Sequence, residues 1–214
     1  MDKEGVSWGN KLVSMRWNRV MNERLFSNLT LCGSHYGHNF NGYAGENVPF
    51  QLNTGIKYYS LKYDFSYFSN ANNKINFGLN SYYQEMMPLQ NSFKEHEVFS
   101  FLNRNSYKRM VYTIYSEGNY SLSRLFNVQG GLRLSMLHNI EPQIKTRIYA
   151  EPLLSLGYLM TEKFSWKASY SRNVQFYHGI NVLDLFIPYD HYLFSNNTLK
   201  PQVADHFSTG GFCG

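Results

Sequence analysis

The chain contains no long apolar run. A helix that crosses a bilayer needs about 20 consecutive apolar residues, and no stretch of the 214 residues approaches that length. Cysteine is almost absent. Cys32 and Cys213 stand far apart with no CxxC between them, and so imply neither a disulfide framework nor a cysteine zinc site. Charge is sparse, at 16% of residues, and the net charge is only +5. The lysines and arginines are scattered, with one small cluster at Arg104, Lys108 and Arg109. A nucleic-acid reader would carry a basic stripe, so no nucleic-acid partner is expected. No GxSxG elbow frames a nucleophile. Residues 1–8 are polar and charged, without the apolar core of a secretory leader.

Aromatic side chains, by contrast, are abundant: 17% of residues, with 18 Tyr and 16 Phe. Their spacing is more informative than their number. In 59–67, YSLKYDFSY, Tyr59, Leu61, Tyr63, Phe65 and Tyr67 alternate with Ser60, Lys62, Asp64 and Ser66. Alternate residues of a β-strand point to opposite faces, so one face is apolar and the other polar. The pattern recurs. Ile75, Phe77, Leu79 and Tyr83 alternate with Asn76, Gly78, Asn80, Tyr82 and Gln84. Phe126, Val128, Leu132, Leu134 and Met136 alternate with Asn127, Gln129, Gly131, Arg133 and Ser135. Phe164, Trp166, Ala168 and Tyr170 alternate with Ser165, Lys167, Ser169 and Ser171. Weaker copies fall at 13–19, 25–36, 110–122 and 151–160, and 203–212 begins a ninth.

The pattern therefore predicts eight to nine strands of about ten residues, the length that crosses a bilayer at a tilt. Tight turns are expected at 21–24, 69–73, 123–125 and 161–163, and long loops at 37–55, 86–109, 138–149 and 173–202. Short turns at one end and long loops at the other belong to an outer-membrane barrel. The fold class expected is all-β, an antiparallel transmembrane β-barrel segment. A mean hydropathy of −0.43 is compatible with it, because half of each strand faces a wet lumen.

Five segments, in order, resemble the barrel portion of TonB-dependent outer-membrane receptors: WGNKLVSMRWNRVMNERLFSNLTL at 8–31, YSLKYDFSY with KINFGLNSYY at 59–83, GGLRLS at 130–135, EPLLSLGYLMTEKFSWKASYSRNVQFYH at 151–178 and LKPQVADHF at 199–207. The similarity is greatest to the large receptors with an N-terminal carboxypeptidase-regulatory-like domain. The resemblance implies a barrel of about 22 strands closed around a plug. It also implies contact with outer-membrane lipid, energy supplied through the TonB complex, and uptake of a scarce nutrient such as an iron chelate, a corrinoid or an oligosaccharide. It implies binding and translocation without bond chemistry, and no cofactor. Against that pattern the chain reads as an internal part of the barrel domain, without plug, TonB-contact segment or signal peptide. Leu153 stands where the family often has arginine.

Lys62, Asp64, Glu117, Arg133 and Lys167 are expected to face the lumen, either bonding across neighbouring strands or lining a substrate path. The 173–202 loop is the best candidate for ligand contact, because long loops on a rigid scaffold tend to carry function. It holds Tyr177, His178, Tyr189, Asp190, His191 and Tyr192, suited to stacking and hydrogen bonding. Packing of these rings onto the barrel rim is the plainer alternative. His96 sits between two glutamates on a loop, and His35 and His38 are three apart near a hairpin end; loop polarity accounts for all three, and no metal is expected. Gly130 and Gly131 lie inside a strand and do not form a phosphate loop. Two other architectures fit the alternation less well. A small closed eight-stranded barrel with a structural or adhesive role would need a filled interior, whereas the polar faces carry mostly Ser, Asn and Gly. A soluble β-rich binding protein would need all the aromatic faces to meet in one core.

Overall fold

The computed structural model describes residues 5–44, 48–70, 72–91, 106–141, 145–181, 190–196 and 198–213. Nine strands form one antiparallel sheet in the order β1-β2-β3-β4-β5-β6-β7-β8-β11. They are β1 (Gly5–Asn22), β2 (Leu25–Ala44), β3 (Val48–Asn70), β4 (Asn73–Asn91), β5 (Tyr107–Ser121), β6 (Phe126–Glu141), β7 (Arg147–Thr161), β8 (Phe164–Gln175) and β11 (Gln202–Cys213). A separate two-stranded sheet pairs β9 (Tyr177–Asn181) with β10 (Asp190–Phe194). Each of the first eight strands pairs with its neighbour in sequence. The single departure is β8 to β11, where the β9–β10 hairpin intervenes.

The short turns follow from local chemistry. At the β1–β2 turn the Asn22 side-chain oxygen accepts the backbone N–H groups of Arg24 and Leu25, both at 2.9 Å. At the β5–β6 turn the Ser123 hydroxyl accepts from Leu125 and Phe126. Asn and Ser favour such turns because their side chains stand in for a backbone acceptor.

The register fixes the faces. Asn28, Asp64, Gly78, Tyr115, Arg133 and Glu151 stand opposite one another across six strands, on the inner, concave side. One residue along each strand, Leu29, Tyr63, Leu79, Ile114, Leu134 and Ala150 form an outer row. Outer side chains meet only one another: Phe65 stacks on Phe77 with centroids 5.2 Å apart, and Tyr59 on Tyr83 at 6.3 Å. Many are bare. Ile114 is 61% exposed, Ile148 70% and Phe207 79%. So wide an apolar face, open on every strand, belongs against hydrocarbon.

Two sequence expectations change, and three weaker alternatives fall away. The strands are longer than ten residues, from 12 in β8 to 23 in β3. Most of the 37–55 segment, read as a loop, is the paired upper part of β2 and β3, with Gly37 opposite Gly55 and Ala44 opposite Val48. Above the lipid both faces meet water, so backbone pairing persists after the apolar alternation has ended. His35 and His38 belong to β2 and, three residues apart in a period-two strand, take opposite faces, which separates them as metal partners. The soluble reading fails because the aromatic faces turn outward; among the described residues the buried hydrophobics are few, with Val111, Leu137 and Phe176 forming a small cluster on the inner side. The closed eight-stranded barrel fails because β1 and β11 stand at the two ends of a nine-stranded sheet.

Candidate functional site

The inner wall of the sheet encloses a cavity of about 590 Å³ between β3 and β11, lined by Lys62, Tyr82, Glu117, Arg133, Glu151 and Asn173 among others. Its polar groups are tied across strands. Lys62 Nζ lies 3.1 Å from Asp64, and the Tyr115 hydroxyl donates to the same carboxylate. That bond crosses β4 at Gly78. A Cβ there would meet the Tyr63 carbonyl oxygen and stand 3.1 Å from the Tyr115 ring, so glycine is what lets the phenol pass. Arg133 lies over the other side of the Tyr115 ring, 6.0 Å from its centroid. Asn76 donates to Glu117 at 3.2 Å and accepts from Ser66 at 2.9 Å. Thr113 and Ser135 hydroxyls are 3.2 Å apart, and Ser135 donates on to Glu151 at 3.0 Å. The wall presents cations, carboxylates and phenols bonded to one another across neighbouring strands.

Of the residues expected to face the lumen, Lys62, Glu117 and Arg133 line this cavity, and Asp64 is bonded to its edge through Lys62 and Tyr115. Lys167 stands apart on β8, its ammonium 5.2 Å from the centroid of the Phe212 ring.

The β9–β10 hairpin folds inward and is fastened to the wall by Arg109, which is 1% exposed. Its guanidinium donates to the Phe176 carbonyl at 2.5 Å and, through Nε at 2.9 Å, to Gln84. It also lies flat over the Phe194 ring, 3.8 Å from the centroid. Asn139 donates to the Ser195 carbonyl at 3.0 Å, and the Ser195 N–H closes the hairpin base on the Phe176 carbonyl at 2.9 Å. Phe176 packs edge-on against Tyr149 at 5.3 Å. Tyr177 lines the cavity. His178 is buried, with Nε2 3.1 Å from the Ser195 hydroxyl. Ser195 is itself 1% exposed, so this serine–histidine pair meets no substrate and serves to hold the hairpin. Asp190, His191 and Tyr192 lie in β10 opposite Asn181, Ile180 and Gly179. Tyr189 and His96 lie outside the described residues. Among the described residues no group of three or more His, Cys, Asp or Glu could hold a metal ion.

Sequence reasoning gave Arg109 no role beyond a small basic cluster. The usable signal was parity, since Arg109 shares a face with Val111 and Thr113 whereas Lys108 takes the other. Replacing Arg109 with methionine keeps the stem but removes three hydrogen bonds from a cation, one to the Phe176 carbonyl and two to Gln84, each worth about 1.5–3 kcal/mol. The expected result is release of the hairpin with the sheet intact: in the assembled barrel, hydrogen exchange at the Ser195 amide rises by at least tenfold while β5 and β6 amides keep their protection.

No protein-family profile matches the chain, and no curated protein matches it. Solved structures do. The copper transporter OprC superposes with a TM-score of 0.66 at 11% identity, over 96% of this chain and 36% of that one. BauA, the ferric preacinetobactin receptor from Acinetobacter baumannii, gives 0.61 at 14% identity, over 96% and 35%. The ferric citrate transporter FecA in its unliganded form gives 0.54 at 10% identity, over 79% and 28%. The chain spans about a third of the length of the structures it matches. At these identities the likeness concerns fold: nine antiparallel strands with an apolar outside and a polar inside form a transmembrane β-barrel segment.

Proposed function

We propose that the chain is barrel wall from a TonB-dependent outer-membrane receptor, and that the whole receptor takes up a scarce nutrient: an iron chelate, a corrinoid or an oligosaccharide. The observation that carries this reading is the pairing of an exposed apolar outer face with a polar, cross-linked inner wall in a sheet whose end strands do not pair with each other. Such a sheet is complete only as part of a larger closed barrel. The ordered segments 8–31, 59–83, 130–135, 151–178 and 199–207 support the type with an N-terminal carboxypeptidase-regulatory-like domain. In this reading Lys62, Glu117, Arg133 and the loop residues Tyr177, Tyr189, Asp190, His191 and Tyr192 face the solute while His178 holds the hairpin base, the plug occupies the lumen, and the TonB complex supplies energy for translocation. The step is binding and translocation.

The test is uptake by cells carrying the intact receptor, compared with an in-frame deletion, over ferric chelates, corrinoids and oligosaccharides each supplied as the limiting nutrient. One class should lose uptake on deletion. Collapse of the proton-motive force should stop its accumulation but leave surface binding. Equal uptake of every class by both strains, or accumulation indifferent to the proton-motive force, would overturn the proposal.

A further inference from the structure

The wall parts along one seam. β7 stays paired with β6 as far as Arg147, opposite Leu137, but its register with β8 ends at Leu153, opposite Ser171. β8 runs on to Gln175 in register with β11. The parting starts at Pro152. The Leu159 N–H donates to the Leu125 carbonyl, on the β6 side. In an antiparallel sheet the polar groups of one residue point to one neighbour and those of the next residue to the other. Pro152 is therefore turned toward β8, where it has no N–H to give. Above it Ile148 and Ala150 keep the outer row of β7 apolar, so an uncovered strand edge there is costly in a bilayer.

Above the seam β8 slides inside the wall. Lower down, its even-numbered residues belong to the outer face, with Tyr170 opposite Leu154. Higher up the same face meets protein: Val174 and Phe176 pack with Val111 and Leu137, which share the inner face with Tyr115 and Arg133. Asn173, Gln175 and Tyr177, of the other parity, line the cavity. Two bonds fix this position. The Val174 N–H donates to the Glu151 carboxylate at 3.2 Å, and the same carboxylate accepts the Ser135 hydroxyl. Two residues on, the Phe176 carbonyl accepts from Arg109.

We propose that the upper end of β8, residues 172–175, has two docking positions, and that Glu151 and Arg109 select between them. The inner position is the one just described, with the β9–β10 hairpin in the cavity. In the outer position the strand end zips onto the edge of β7, which sets Asn173 opposite Glu151, Val174 opposite Ala150 and Gln175 opposite Tyr149, and the hairpin lifts. The positions are matched. The outer one gains the reciprocal backbone pair of Val174 and Ala150 and covers the β7 edge; the inner one keeps the Glu151 and Arg109 bonds and the small cluster. Val174 and Phe176 are apolar and suit lipid or protein equally. An element with two packed arrangements and none between acts as a switch. The order of the nine strands is common to both, and only the β7–β8 ladder lengthens. The seam thus regulates access to the inner wall, and the inference rests on the barrel reading of Proposed function.

The experiment is disulfide cross-linking in the assembled barrel, in outer membranes, with Cys32→Ser and Cys213→Ser removing the two thiols of this chain. Leu154→Cys/Tyr170→Cys, opposed below the seam, is the reference pair; Ala150→Cys/Val174→Cys reports the outer position. Both would be hydrogen-bonded pairs with Cα atoms about 5.5 Å apart, within disulfide reach. The expected result is complete oxidation of the reference pair and less than a tenth of that for the reporter pair. Adding Glu151→Ala or Arg109→Met should raise the reporter at least fivefold. Glu151→Gln, which keeps a carbonyl acceptor, should raise it less and serves if the harsher variants do not fold. A reporter as complete as the reference without either change would show that the strands do not part. No rise in any of the three variants would show a single fixed position. Both outcomes overturn the switch and leave the barrel reading standing, whereas failure of the reference pair to cross-link overturns the strand order and the barrel reading with it.

Discussion

Expressed alone, residues 1–214 will give no heat-modifiable monomer in detergent. The reason lies in the two end strands. β1 is 18 residues long and β11 is 12, and each pairs on one side only, with β2 and β8. About half the backbone N–H and C=O groups of each strand point away from the sheet. In hydrocarbon each unpaired group costs several kcal/mol, so the two edges together exceed the roughly 5–15 kcal/mol that stabilises a folded domain. The chain should aggregate through these edges or be degraded. Semi-native gel electrophoresis with circular dichroism is the measurement. A compact band that shifts on heating and carries a β spectrum would show that the sheet closes by itself, and would count against its being one section of a larger wall.

Two adjacent residues of β3 should respond unequally to arginine. Phe65 is five residues from the turn at Asn70, near mid-height of the apolar band, and stacks on Phe77 on the outer face. Asp64 faces inward and binds Lys62 and Tyr115. In the assembled barrel Phe65→Arg should cost about 2–4 kcal/mol of folding stability, the usual penalty for a cation at the bilayer midplane. Asp64→Arg should cost less, about 1–2 kcal/mol, because it loses the Tyr115 bond and a partly exposed ion pair but leaves its cation in the wet lumen. Denaturant titration into lipid vesicles measures both, and equal costs would reverse the assignment of faces.

The alternation in 59–67 made both the strand and its two faces readable from sequence, because lipid and water impose opposite demands on neighbouring residues. Where that contrast ends, so does the signal. The upper parts of β2 and β3 carry polar residues on both faces, and only inter-strand register reveals them as strand. Arg109 was hidden for a different reason: parity separates its face from that of Lys108, but its partners are Gln84 and the Phe176 carbonyl, distant in sequence. The seam between β7 and β8 was equally invisible, since it exists only once the strands are placed in register. The loop residues 177–192 could be marked as polar and aromatic, but their division into a buried hairpin base and a paired tip depends on the wall beneath them.

The hairpin between β8 and β11 also bears on the order of assembly. The first eight strands meet through neighbours in sequence, and apart from the 15 residues between β4 and β5 each pairing closes only a few residues of chain. The ninth must wait for 26 residues, 176–201, to be gathered. Closing a loop of that length in place of a three-residue turn costs about 2 kcal/mol of chain entropy. Early pairing of β9 with β10, anchored on Arg109, shortens the free chain that remains and offsets part of that cost. The step from β8 to β11 should therefore be the slow pairing in this segment, and loss of the Arg109 anchor should slow it further without altering the finished sheet.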